Sequence, residues 1–308
     1  MSPLLRPLLA DELPEADRIF RLAFGTFNRL PDPMTFTGDA AVVRSRFHAF
    51  PEGAFGVELD GHLAGSVFAS RWGSFGFFGP LTVAPDHWGR GLARVLLEAV
   101  MERFIGWGTT HEGLYTYPHS IQHLELYGSF GFRPRFLTLV MEKALEPVLG
   151  PPALRFSELA DDRRREAFDA CRALSGSLHP GLDLAAEIEH LQRMGLGDTL
   201  LLEGKGGLAG FALCHIGAGS EAGSSQGYLK FAAARDADAF AGLLKACEAF
   251  TFAQGQARLC LGVNTARTRA WEQLRGTGYR PFLSGIAMHR PDGPGFCRED
   301  AYVIDDWR

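Results

Sequence analysis

The sequence predicts an α/β protein made of two similar halves, each a mixed, mostly antiparallel sheet flanked by helices. The chain has 308 residues, which exceeds the usual single domain of roughly 100–150 residues. Strand-like and helix-like apolar spacings follow one another in the same order in both halves. Between the halves, the proline-rich segment 145–156 lacks either spacing and is typical of a linker.

Apolar periodicity and turn signals predict each element of the first half. Asp60-Gly61 separates two strand-like runs and is a strong signal for a tight hairpin. The predicted elements are strand 4–8, helix 11–24, helix 38–50, strands 54–59, 62–72 and 75–83, helix 91–105, strand 113–117, helix 120–129 and strand 132–143.

The second half repeats this order. Gly131-Phe132 is matched by Gly278-Tyr279, 147 positions later. The predicted elements are strand 153–156, helices 158–174 and 183–194, strands 199–203, 207–216 and 227–231, helix 234–252, strand 257–262, helix 266–275 and strand 282–289.

Composition excludes several classes of function. The net charge of −5 argues against a nucleic-acid partner, which normally requires a basic excess. No apolar run reaches the ~18 residues that span a bilayer, and Arg6 and Asp11 interrupt the apolar start before a signal peptide can form. The five cysteines show no CxxC spacing, which favours reduced core thiols. We therefore expect a cytoplasmic protein with no nucleic-acid, membrane or metal partner.

Chemistry-bearing residues are concentrated in the segment 81–93, LTVAPDHWGRGLA. Gly89 and Gly91 lie between a predicted strand and a predicted helix. Free N–H groups at a helix N-terminus carry partial positive charge and bind phosphate, and Arg90 and Arg94 can add charge. On these residues alone, a phosphate site and a merely flexible helix start are equally supported.

The segment resembles motif A of the GNAT superfamily of acetyltransferases. In that motif a strand, Val-x-Pro, a (Gln/Arg)-x-x-Gly-x-(Gly/Ala) loop and a long helix hold the pyrophosphate of acetyl-CoA. Val83-x-Pro85 and Gly91-x-Ala93 match it, whereas Trp88 stands where Gln or Arg is usual.

The segment 120–132 resembles motif B of the same family, Asn-x-x-Ala-x-x-x-Tyr-x-x-x-Gly-Phe. Tyr127, Gly131 and Phe132 match, and Ser120 and His123 stand at the usual Asn and Ala positions. Ser120, His123 and Tyr127 also share one helix face by their spacing.

The resemblance implies an acetyl-CoA co-substrate without a metal. Tyr127 would protonate the departing thiolate of CoA, and the N–H groups of Leu81 and Val83 would hold the thioester carbonyl and the pantetheine arm. The residues that it assigns to acetyl-CoA are Leu81, Val83, Trp88, Gly89, Arg90, Gly91, Leu92, Ala93, Arg94, Ser120 and His123.

A general base is harder to assign. The strand 75–83 contains no carboxylate. His119 is the best titratable candidate because its pKa can lie near 7, although a role as a helix cap or an exposed side chain is equally supported. Glu58, Glu112 and a relayed water stay open as alternatives.

The two halves differ in chemistry. Residues 1–146 are interpreted as a GNAT acetyltransferase domain with the acetyl-CoA site, and residues 152–308 as a degenerate GNAT-like domain with a C-terminal tail. Asp236 and Asp238 stand at the Gly89 and Gly91 positions and would repel pyrophosphate. Leu274, or Trp271 in another alignment, stands at the Tyr127 position.

The leading hypothesis is therefore an acetyl-CoA-dependent N-acetyltransferase that transfers acetyl directly to a primary amine of a small molecule or peptide. The alternative is a non-catalytic acyl-CoA-binding or sensing protein. A thiol or hydroxyl acceptor, and assembly as a homodimer, stay open.

Overall fold

The computed structural model describes residues 3–147 and 150–308; the linker residues Val148 and Leu149 lie outside them. Its strands are β1 (Leu4–Pro7), β2 (Ala54–Leu59), β3 (His62–Trp72), β4 (Phe75–Val83), β5 (His111–Thr116), β6 (Arg133–Ala144), β7 (Leu154–Arg155), β8 (Gly197–Gly204), β9 (Gly207–Gly217), β10 (Gly223–Ala234), β11 (Arg258–Asn264), β12 (Arg280–Arg290) and β13 (Tyr302–Ile304). Its α-helices are α1 (Leu13–Phe27), α2 (Val42–Ala49), α3 (Leu92–Trp107), α4 (Ile121–Ser129), α5 (Asp161–Leu178), α6 (Ala185–Met194), α7 (Ala237–Ala253) and α8 (Thr268–Gly276).

The elements confirm the predicted α/β class and the repeated order. Across the described residues the strands form one sheet in the order β1-β2-β3-β4-β5-β12-β6-β11-β10-β9-β8-β7, with β13 beside β10. Parallel pairing occurs between β4 and β5 and between β10 and β11, and the remaining pairs are antiparallel. The sheet is therefore mixed and mostly antiparallel, as expected.

The last strand of each half lies in the other half of the sheet, which the sequence did not predict. β12 pairs with β5 through Ile286–Thr116 to Arg290–Glu112, and β6 pairs with β11 through Arg258–Ala144 to Asn264–Thr138. The two strands also pair with each other. Because both follow the same order of elements, either strand can complete either half, as in domain swapping.

The halves also share a hydrophobic core. Trp72, Phe75 and Phe77 of the first half pack with Phe231 and Trp307 of the second, all buried. The rings of Trp72 and Phe231 meet edge to face at 5.4 Å between centroids. Burying such aromatic side chains is a large source of stability, so the contact between the halves is part of the folded core.

The C-terminal tail folds back over the first half. Its strand β13 pairs antiparallel with β10 through Ala232–Ile304 to Ala234–Tyr302. Beyond that strand, Trp307 contacts the first half: its ring packs at a tilt against that of Phe75, with centroids 4.9 Å apart. None of the helices in the described part of the chain combines the length and apolarity that crossing a bilayer requires.

Candidate functional site

The site begins where β4 separates from β5. The two strands pair only from Phe75–His111 to Phe77–Gly113. Just beyond, β4 carries one more residue than β3 between the Ala69–Phe78 and Val67–Leu81 pairs, which is a β-bulge. Bulges bend a strand away from its neighbour. After the bulge, β4 pairs only with β3 within the described residues, so its other edge faces a gap.

Leu81 and Val83 direct their N–H groups into this gap. The N–H of Ala84, the residue after β4, donates to the carbonyl of Ala64 in β3 at 2.8 Å. Successive residues of a strand direct their backbone groups to opposite edges. The N–H groups of Val83 and Leu81 therefore point away from β3. This is the orientation that their expected role toward a thioester and pantetheine arm requires.

The turn between β4 and α3 exposes a run of backbone N–H groups. Gly89 and Gly91 adopt φ angles of 77° and 79°, and a Cβ atom at either would meet no atom within 4 Å. In the described chain, no group accepts a hydrogen bond from the N–H groups of residues 89–93. They sit at the positive end of the 16-residue helix α3. This geometry fits a phosphate group that approaches the backbone closely.

Trp88 has a different role from the Gln or Arg usual at its position. Its indole Nε1 donates to the carbonyl of Val83 at 2.7 Å, and the side chain is 46% exposed. This bond ties the glycine turn to the end of β4. The aromatic side chain therefore helps to hold the turn against the end of β4.

The arginines beside the turn point in different directions. Arg94 donates to Ser129 at 3.0 Å and lies over the ring of Phe130, so it connects α3 with α4. Arg90 is exposed at the turn. Leu92 is buried in the core below. Of the two arginines, Arg94 is engaged with α4, whereas the exposed Arg90 is available to a ligand at the turn.

Tyr127 lies on α4 opposite the gap. It is 7% exposed, and its ring meets Phe78 edge to face at 5.7 Å between centroids. Burial raises the pKa of its phenol well above the ordinary value, so the hydroxyl keeps its proton at neutral pH. Among the described residues no group bonds to this hydroxyl, and Tyr127 is one of the residues that line the cavity described below.

His123 and His119 are placed differently. His123 borders the same cavity, and burial, with a smaller contribution from His119, lowers its pKa. Its imidazole is therefore neutral near pH 7 and can accept a proton. His119 is exposed and stacks on Phe27 at 5.6 Å, and it is not among the described residues that line the cavity. Its role as a base stays a prediction.

Other expected residues lie in supporting positions. Ser120 is buried at the start of α4. Glu58 pairs with Arg6 at 3.0 Å and Glu112 with Arg290 at 2.9 Å. Among the described residues, neither carboxylate lines the cavity.

A cavity of about 770 Å³ joins these groups to the second half. This volume lies within the usual range for small-molecule sites of roughly 300–1,000 Å³. The first half contributes Leu81, Ala93 and Tyr127 at one end, among others. Residues of the second half that line it are Glu221, Ala222, Ser225, Gln226, Tyr228, Arg258, Phe282, Leu283, Trp307 and Arg308. Sequence reasoning assigned none of these to the site, because they reach the first half through the exchanged strand, the tail, β10, β11 and the segment before β10.

A buried charge network stands behind this cavity. Glu221 accepts from Lys230 at 2.6 Å and from Arg46 of α2 at 3.1 Å, and Lys230 also pairs with Glu187 at 3.0 Å. Burial opposes ionisation of Glu221, but Arg46 and Lys230 outweigh it and hold the pKa of that carboxyl well below its ordinary value. Glu221 is therefore a poor proton acceptor, and the network fastens α2 to the second half.

The second half repeats the bulge but not the gap. β10 pairs with β11 only from Gly227–Leu259 to Leu229–Leu261 and then bulges between Leu229 and Phe231. Beyond the bulge, β13 pairs with one edge of β10. In the first half, the equivalent edge of β4 is the one that faces the gap. The chain's own tail thus fills the corresponding position.

The turn before α7 is also different. Asp236 caps the helix by accepting from the N–H of Ala239 at 2.9 Å. The Asp236 carboxylate therefore accepts from one of the helix N–H groups that would otherwise be free to bind an anion. Leu274, at the Tyr127 position, is fully buried.

Together, the open edge of β4, the glycine turn and α3 have the geometry of an acetyltransferase fold. Residues 16–132 match the model of the acetyltransferase (GNAT) family. The chain therefore carries a GNAT-family domain at these residues.

Solved structures with the same fold extend the likeness to both halves. A putative acetyltransferase from Pyrococcus horikoshii is 17% identical, with a TM-score of 0.71 over 99% of this chain and 95% of its own. A GCN5-related N-acetyltransferase from Sphaerobacter thermophilus is 18% identical, with a TM-score of 0.63 over 94% and 95%. The GCN5-related glucosamine N-acetyltransferase region of a fungal multi-domain GH3 β-N-acetylglucosaminidase is 12% identical, with a TM-score of 0.64 over 94% and 38%. No curated protein sequence matches significantly.

Proposed function

We propose that this chain is an acetyl-CoA-dependent N-acetyltransferase that transfers the acetyl group directly to a primary amine. One observation carries the proposal. Leu81 on the open edge of β4, Ala93 in the first turn of α3 and Tyr127 of α4 line a single cavity. Groups that can hold a thioester and protonate its leaving sulfur thus meet at one place.

The residues present fit acetyl-CoA. The N–H groups of residues 89–93, with Arg90 beside them, would hold the pyrophosphate at the N-terminus of α3. The N–H groups of Leu81 and Val83 would orient the pantetheine arm and the thioester carbonyl. When bound, acetyl-CoA supplies an activated acetyl group. Trp88 would keep the turn and the strand in register through its bond to the Val83 carbonyl.

Tyr127 would return a proton to the sulfur. Burial makes its phenol a weak acid, but the same apolar surroundings disfavour a free thiolate and raise its basicity. A buried tyrosine is therefore a proton donor suited to a buried thiolate. His123 is the cavity histidine that would accept the proton that the acceptor's ammonium loses before its amine attacks. His119, which is not among the described residues that line the cavity, is the other candidate base.

The second half would bind no acetyl-CoA. Strand β13 fills the gap beside β10, and Asp236 caps the helix whose N-terminus would face pyrophosphate. We therefore interpret residues 1–146 as the acetyl-CoA domain. Residues 152–308 would complete its sheet and its cavity.

An assay of acetyl-CoA consumption with a panel of primary amines tests this function. Acetylated amine identified by mass spectrometry, with free CoA released in equal amount, supports direct transfer. Tight binding of acetyl-CoA with no acetylated product from any amine, thiol or alcohol would instead support the non-catalytic alternative.

A further inference from the structure

We infer that the acceptor is a primary amine on an uncharged aromatic or aliphatic body, and that aromatic residues of the second half recognise that body. The inference rests on the proposed transferase function and concerns the aromatic lining of the cavity. Two features carry it: the chemistry of the lining and the pairing of its charges.

Aromatic side chains form much of the cavity wall. The first half contributes Phe24 and Phe36, whose rings stack at 5.3 Å with an interplanar angle of 6°. Tyr117 continues this wall. Tyr228 and Phe282 of the second half complete it. Aromatic faces attract an ammonium group electrostatically and bind an apolar body by burial.

Except for Asp39, the charged side chains that line the cavity are paired with an opposite charge within the chain. Glu221 is held by Arg46 and Lys230. The pairs Arg308–Asp306 and Arg258–Glu142 lie at 2.9 Å and 3.5 Å, and Asp39 accepts from the N–H of Ser224 at 2.8 Å. Asp39 is exposed and, among the described residues, accepts only from a neutral N–H. A second charge on the acceptor that does not face Asp39 would have to displace one of the paired groups or stay uncompensated, which is costly in a cavity.

Phe282 is the aromatic residue most clearly available to a ligand. β12 pairs through Pro281–Met141 and Leu283–Val140, so Phe282 is the extra residue of a bulge. Bulges re-aim a side chain, and this one lines the cavity with 54% of its surface exposed. It reaches the cavity because β12 is inserted beside β5.

The first arm of the test compares acceptors. The full-length protein is assayed with 2-phenylethylamine, hexylamine, lysine, spermidine and glucosamine at saturating acetyl-CoA. We expect the kcat/KM of the first two amines to exceed that of the others by about tenfold or more, as one lost apolar or paired contact implies. Preference for lysine, spermidine or glucosamine overturns the inference and leaves the transferase function standing.

The second arm removes the bulge aromatic. Phe282→Ala should raise the KM for 2-phenylethylamine about three- to tenfold, the value of one aromatic contact, with the KM for acetyl-CoA unchanged. Phe282→Leu should restore most of the affinity. Phe252→Ala is the matched control, because Phe252 is a similarly exposed phenylalanine, 37% accessible, on α7 outside the cavity. An unchanged KM in Phe282→Ala overturns the inference.

A binding measurement separates this inference from the proposed function. Isothermal titration of 2-phenylethylamine into the CoA-loaded protein reports recognition without turnover. Binding that weakens in Phe282→Ala, together with no acetylation of any amine, supports the recognition site and contradicts the transferase function. Acetylation of an amine with no measurable binding of 2-phenylethylamine does the reverse.

Discussion

Replacing Gly91 by aspartate should weaken acetyl-CoA binding about 100-fold with little effect on folding. Gly91 is the N-cap of α3 with a φ of 79°, and the space at its Cβ position is open. A side chain in the left-handed region costs roughly 1–2 kcal/mol. Aspartate tolerates this region better than most residues and is a preferred N-cap. The two effects oppose each other, so the free energy of unfolding should change by about 1 kcal/mol or less.

The effect on the ligand is larger because two interactions are lost together. The new carboxylate would accept from the helix N–H groups that phosphate would use. It would also lie within about 4 Å of a phosphate charge, where two like charges repel by about 4 kcal/mol at an effective dielectric constant of 20. Solvent at this exposed turn screens part of this repulsion. A remaining 3 kcal/mol or so corresponds to a loss of affinity of about 100-fold.

Isothermal titration with acetyl-CoA measures this change directly. Gly255→Asp is the matched control, since Gly255 has the same φ of 79° and open surroundings but follows α7 in the second half. It should bind acetyl-CoA as the unmodified chain does. If Gly91→Asp binds acetyl-CoA within threefold of the unmodified chain, the phosphate assignment of this turn is wrong.

Three further predictions concern the donor, the charge network and pH. Tyr127→Phe should lower kcat by about 10²–10⁴-fold, as loss of a general acid implies, with the Kd for acetyl-CoA within twofold; equal kcat would exclude the donor role. Lys230→Met leaves two buried glutamates without this partner and should cost about 3–5 kcal/mol in urea unfolding, whereas the exposed Lys205→Met should cost almost nothing; equal losses would contradict the network. Burial lowers the pKa of His111 to about 4 and that of His289 to about 3. The unfolded chain, with histidine pKa values of about 6.5, then binds more protons, so stability should fall as pH drops from about 6.5 toward 4. His289→Gln should reduce that fall, and an unchanged slope in urea unfolding between pH 7 and 5 would refute this cause.

Local signals in the sequence were enough for the elements and for the positions of the first half's candidate site residues on them. Apolar periodicity located α3, and Gly89 and Gly91 placed its N-terminus shortly after β4. The motif spacing likewise placed Tyr127 on α4. These features depend on residues close together in the chain, which periodicity and motif spacing report.

Contacts between distant segments were not predictable in this way. The exchange of β6 and β12 depends on which of two similar strands completes each half, and no local pattern distinguishes them. Strand β13 has only three residues, too few to show alternation. Phe282 and Trp307 reach the cavity through β12 and the tail. The sequence suggested that the tail folds back over the first half, but no local pattern assigned either side chain to the site.

The sequence predicts that the second half binds no acetyl-CoA. The structure adds a second physical reason for proposing this. The expected reason was charge, from Asp236 and Asp238. The added reason is steric, because β13 pairs with the edge of β10 that a pantetheine arm would need.

Native mass spectrometry of the full chain titrated with acetyl-CoA tests the central claim most directly. The claim is that one half holds the ligand and the other completes the cavity. We expect saturation at one acetyl-CoA per chain, lost in Gly91→Asp and retained in Gly255→Asp. Saturation at two per chain, or at one that persists in Gly91→Asp, would contradict it.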